Sequence, residues 1–153
     1  MFVERYYCEL ETIQIIGEFS ILWCRFEQVF FGAKASPGKV EEYSDSIVQS
    51  EENKQLYSSL KQVATDYLLS IDEGTIRSRI YSEENKGNEN RRMHIYRFLN
   101  DESLDWVGCL LFIERIRDNL FHGLKDVYSL NHQKEMFISI CKLLDYFLKE
   151  VHM

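Results

Sequence analysis

Residues 104–125 read LDWVGCLLFIERIRDNLFHGLK. Leu104, Val107, Leu110, Leu111, Ile113, Glu114, Arg117 and Leu120 recur at three- and four-residue spacings, the repeat of one helix face. The pattern predicts a long helix running to about Phe121, capped by Asp101 or Ser103. Gly123 follows where a left-handed glycine commonly ends a helix. The last two turns of this apolar element gather Arg117, Asp118, Asn119 and His122.

The same spacing recurs on either side. Leu130 to Val151 carries a seam of Met136, Phe137, Ile140, Cys141, Leu144, Phe147, Leu148 and Val151. Glu51 to Ser70 carries a stripe of Leu56, Leu60, Val63, Ala64, Tyr67 and Leu68 that Ile71 continues, and acidic Glu51 and Glu52 suit its first turn. Thr12 to Phe31 carries Ile15, Phe19, Leu22, Trp23, Phe26, Val29 and Phe30, and Gly32 then ends it. Val40 to Val48 is expected to form a short helix, and Asp72-Glu73-Gly74 to stop the helix before it. Residues 75–100 are the least regular part. They read as helical extensions or short strands around a polar loop, Ser82 to Asn90. The expected fold is all-α: an antiparallel four-helix bundle with additional short helices and a basic insertion before the third long helix. A length of 153 residues makes residues 1–153 one domain.

Composition narrows the function classes. Ten Phe and nine Tyr make rings the main source of burial, and a single Pro leaves long helices unbroken. No run of about 18 apolar residues spans a membrane, and the N-terminus has no signal-peptide pattern, so the expected location is cytoplasmic. Cys8, Cys24, Cys109 and Cys141 are far apart, without zinc-ligand spacing, and are expected to be reduced and buried. The formal charge of −7 argues against a protein that coats nucleic acid non-specifically. Residues 75–99 invert that balance. Six Lys and Arg face three Glu, giving +3 on an acidic remainder of −10.

Spacing alone leaves the polar cluster open to two interpretations. In one it finishes a helix: Arg117 pairs with Glu114 a turn earlier, Asp118 with His122 a turn later, and His122 meets the helix dipole. In the other it carries acid–base chemistry, for which an imidazole with an ordinary pKa near 6.5 is well placed.

The full string resembles the signature of the HEPN superfamily: an arginine, a polar residue, three to five further residues, and a histidine. Arg117, Asp118 and His122 occupy those positions, and Arg115 fits less well because Ile116 follows it. Leu22-Trp23-Cys24-Arg25-Phe26-Glu27 is similar to the aromatic first-helix stretch of many such domains. The helix order agrees over most of the chain, but only these two stretches are specific, and residues 72–100 have no counterpart. The resemblance implies a homodimer that cleaves RNA without a metal or other cofactor, acting as a toxin or defence effector. Attack by the 2′-hydroxyl on the adjacent phosphate needs a base and an acid. One motif supplies one histidine, and two protomers about a two-fold axis supply two. Arg117 would stabilise the pentavalent phosphate.

Supporting roles fall to Asp118 or Asn119, which would orient the imidazole or guanidinium, and to Glu27, which would reach the same region from the first helix, against the alternative of an ordinary exposed or salt-bridged glutamate. Arg115, Lys125, Arg91, Arg92 and Arg97 are candidates for RNA phosphates, against the alternative of solvated surface charge. Trp23, Trp106, Phe112 and Phe98 are expected in the core. An antitoxin protein is a further expected partner. The tyrosine that some HEPN toxins carry two residues beyond the histidine is replaced by Leu124. The competing functional class is a non-catalytic HEPN-like dimer that binds RNA, a nucleotide or a protein.

Overall fold

The structure is a computed structural model and describes residues 8–32, 34–83, 87–121 and 128–151. Among the described residues it is all-α, with no strand. Helix α1 (Leu10–Phe26) continues into a π-helical turn (Glu27–Phe31), and α2 (Pro37–Asp45) and α3 (Glu51–Leu69) follow. A short α4 (Glu73–Thr75) runs into a second π-helical turn (Ile76–Ile80). Helix α5 (Glu89–Asn100), α6 (Trp106–Phe121), a 3-10 turn (Tyr128–Gln133) and α7 (Lys134–Val151) complete the order.

Local chemistry sets the boundaries. Ser36 caps α2 ahead of Pro37, whose missing N–H costs nothing in the first turn. Ser50 and Asn53 form a reciprocal capping box on α3. Asp72 does more than stop α3: its carboxylate accepts from Thr75 N at 2.8 Å and starts α4. Gly32, at φ +66°, ends the first π-helical turn in the left-handed conformation.

Helix α7 packs on both α1 and α3, while α6 packs on α5, α2 and the second π-helical turn. Aromatic contacts join these layers. Phe19 of α1 meets Phe137 of α7 at 5.4 Å between ring centroids, and Tyr43 of α2 bridges Phe26 and Phe147. Trp106 joins Phe147 to Tyr57, which meets Phe98 of α5. Trp23, Trp106, Phe98 and Phe112 are all buried, as the sequence predicts. Asn53 and Tyr57, which the α3 stripe leaves out, are buried too, because α5 and α7 together cover a broader face than one stripe.

Residues 75–100 differ most from expectation. Between the π-helical turn and α6, Glu89–Asn100 forms a full helix whose Ile95, Phe98 and Leu99 are buried. The start of α6 is also corrected. Neither Asp101 nor Ser103 caps it; the cap is Asp105, whose Oδ1 accepts from Gly108 N at 2.8 Å. Asp105 suits this position because its other oxygen meets His94 Nδ1 at 2.8 Å and its own N–H donates to the Tyr57 hydroxyl. Three elements thus locate one helix end. Cys8, Cys109 and Cys141 are buried free thiols, but Cys24 is exposed, since the residue after core Trp23 turns about 100° toward solvent. No helix among the described residues is long and apolar enough to cross a membrane.

Candidate active site

At about 100° per residue, the C-terminal turns of α6 present two different faces. Glu114, Arg117 and Asp118 fall within about 100° of one another. Asn119 lies on the far side, about 160° from Arg117, and Arg115 falls between it and Asp118, about 60° from Asp118 and 100° from Glu114.

On the first face, Arg117 Nη1 donates to Asp118 Oδ1 at 3.0 Å, and both side chains keep about a quarter of their exposure. Glu114 is buried and pairs with Arg91 of α5, Nη2 to Oε1 at 2.8 Å. The partner expected for Glu114 was Arg117, but α5 brings Arg91 to it across the helix interface. Its second oxygen, Oε2, is buried without a hydrogen-bond partner, as is Arg91 Nε. Burial pushes the Glu114 carboxyl above the ordinary range; Asp118 and Glu27 push the same way, and Arg91 and Lys34 oppose them. Those neighbours place the end of α1 and its following loop beside α6. Glu27 also holds that loop, accepting from Ala35 N at 2.7 Å.

The second face is structural. Arg115 donates from Nε to the Arg79 carbonyl at 2.5 Å and from Nη2 to the Ser78 carbonyl at 3.1 Å. Burial draws its pKa down. Asn119 is 1% exposed and donates from Nδ2 to the Arg79 carbonyl at 3.0 Å. Together they satisfy carbonyls that the π-helical turn leaves unpaired.

The expected cluster is therefore divided. The fold brings Glu27, Arg91, Asp118 and Lys34 around Glu114, and Arg117 joins them through its pair with Asp118. Asn119 turns away from this region, and the Arg115 guanidinium, within electrostatic reach of Asp118, Arg91 and Glu114, is bound to the Arg79 and Ser78 carbonyls. Arg92 bonds the Ser82 carbonyl at 3.1 Å and faces Glu89, and Arg97 lies on the exposed side of α5. His122 and Lys125 lie outside the described residues. Glu114 carries a sequence signal, a carboxylate inside the apolar run from Leu110 to Ile116, but its partner 23 residues away carries none. Among the described residues, no three His, Cys, Asp or Glu side chains converge as ligands for a metal ion.

Removing Glu114 strands the Arg91 guanidinium, which is only 19% exposed. Glu114→Ala is expected to cost about 3 kcal/mol in denaturant unfolding, less if Arg91 swings to solvent. Glu114→Gln keeps a hydrogen bond and should cost less. A raised folded pKa contributes stability that is present below the ordinary carboxylate value and lost as pH rises through the raised value. Wild type should therefore lose stability over that interval relative to Glu114→Gln. Parallel pH profiles for the two proteins would show that Glu114 does not titrate there.

Comparison of the chain with protein-family models, curated proteins and solved structures found no match.

Proposed function

We propose that this chain is a metal-independent endoribonuclease of the HEPN type. In this proposal it is a cytoplasmic toxin or defence effector that acts as a homodimer of antiparallel four-helix bundles. The observation that carries the reading is the placement of Arg117 and Asp118. They remain partly exposed on a helix whose Cys109 to Ile113 segment is buried. Asp118 also lies within electrostatic reach of Glu114, the partner of Arg91 in α5.

The proposed chemistry needs no cofactor. One histidine takes the proton of the 2′-hydroxyl, whose oxygen attacks the adjacent phosphorus. The other protonates the departing 5′ oxygen, leaving a 2′,3′-cyclic phosphate and a 5′-hydroxyl. The two histidines are His122 of each protomer. Arg117 leaves Asp118 and takes the charge that develops on the phosphate oxygens. Arg97, on the exposed side of α5, would steer the RNA backbone, whereas Arg91 is paired with Glu114, Arg92 with the Ser82 carbonyl and Glu89, and Arg115 with backbone carbonyls.

A second reading is a non-catalytic dimer that binds RNA, a nucleotide or a protein. The Arg117–Asp118 pair favours it, since that pair neutralises the motif arginine in the resting protein. Purified protein and His122→Ala, each incubated with RNA in EDTA, separate the two. Cyclic-phosphate ends from wild type, with none from the variant, are expected. Intact RNA with both proteins, or cleavage only with added Mg²⁺, would sink the catalytic proposal.

A further inference from the structure

A cleft of about 670 Å³ opens on the other side of α6, between the end of α3, the second π-helical turn and the start of α7. It lies on the Asn119 face and is separate from Arg117. Its apolar wall is Val63, Ile71 and the buried Met136. Against that wall stands an uncommitted acceptor. Asn119 uses Nδ2 on the Arg79 carbonyl, and its Oδ1 is buried with no partner. A buried amide oxygen left this way is costly unless a ligand supplies an N–H.

The rim carries both signs. Asp66 and Glu135 are exposed carboxylates, and Asp66 gives one oxygen to the Gln62 amide at 3.1 Å. Arg79 is exposed, and its guanidinium has no hydrogen bond or ion pair to a described residue. It lies near enough to Tyr67 to oppose the upward push that burial gives that phenol. His132 also lines the cleft.

We infer that this cleft binds a zwitterion with an apolar body, a free aliphatic amino acid or a short peptide. The ammonium meets Asn119 Oδ1 and the Asp66 and Glu135 carboxylates. The carboxylate meets Arg79, and the side chain lies on Val63, Ile71 and Met136. Each charged carboxylate and guanidinium of the lining then has an opposite partner. A nucleotide fits less well, because its phosphate would meet two carboxylates and one arginine. The inference does not depend on RNA cleavage.

Calorimetric titration of the full-length protein tests it. The probes are L-leucine, L-leucyl-L-leucine, 3-methylbutylamine, 4-methylpentanoate and GMP. At least one zwitterion should bind, and whichever is tighter identifies the source as free amino acid or peptide. Loss of either charged end should weaken binding roughly tenfold, the scale of one charge-assisted contact. Arg79→Ala should weaken leucine and leave the amine unchanged. Asp66→Asn with Glu135→Gln should weaken both. These side chains are exposed, so circular dichroism should show unaltered folds. No heat with either zwitterion, or GMP binding more tightly than both, would overturn the inference.

Discussion

Gly108→Ala is expected to remove about 4 kcal/mol or more of folding stability, a large part of what a domain this size has. A Cβ at Gly108 would overlap the His94 carbonyl oxygen and stand 2.7 Å from its carbon and 2.9 Å from Phe98 Cβ. The first two obstacles are α5 backbone and cannot change rotamer. Relief requires α5 to move off α6. That movement would open the Phe98–Phe112 contact and pull His94 from Asp105, the group that starts α6. Gly17→Ala is the control, since nothing lies within 4 Å of a Cβ there. It should be neutral or gain up to about 1 kcal/mol from helix propensity. Urea unfolding of the two variants reads the difference directly. A Gly108→Ala midpoint equal to wild type would mean that α5 does not cross α6 this closely.

Arg117→Ala should lower the RNA cleavage rate about 10²–10³-fold if the guanidinium stabilises the transition state. Arg117→Lys should recover little, because an ammonium lacks the planar fork that grips two phosphate oxygens. Both variants should stay folded, since the Arg117 side chain keeps 27% of its exposure. The contrast with Arg115 is informative. Arg115→Ala removes two hydrogen bonds to the Ser78 and Arg79 carbonyls and should lower stability more than it lowers rate per folded molecule. Single-turnover cleavage at fixed pH, beside thermal unfolding, separates the effects. Undiminished cleavage by folded Arg117→Ala would remove the arginine from the proposed chemistry.

The helices that carry the core were legible for a physical reason. A helix with one face in the core repeats its apolar residues every three or four positions, and α1, α3, α6 and α7 all do so. Helix α5 was harder to assign, with Arg91, Arg92, His94 and Arg97 masking a short buried stripe of Ile95, Phe98 and Leu99. The cap of α6 was misplaced for a related reason. Asp101, Ser103 and Asp105 all suit a cap by residue type, and only the contacts of Asp105 with His94 and Tyr57 select it.

The sequence by itself determined that the chain is helical, which aromatic residues build its centre, and that polar residues gather at the end of α6. Those properties follow from residue type and local periodicity. Only the tertiary structure decided how that polar cluster divides. Asn119 and Arg115 bind the π-helical turn, while Glu114 turns to Arg91 and Arg117 to Asp118. Spacing along one helix fixes the angle between neighbouring side chains, but the partners of Glu114, Arg115 and Asn119 come from elements 23 to 40 residues away. The stretch 104–125 therefore announced a candidate site, and the packing of α5, the second π-helical turn and the end of α1 determined which of its described residues face it.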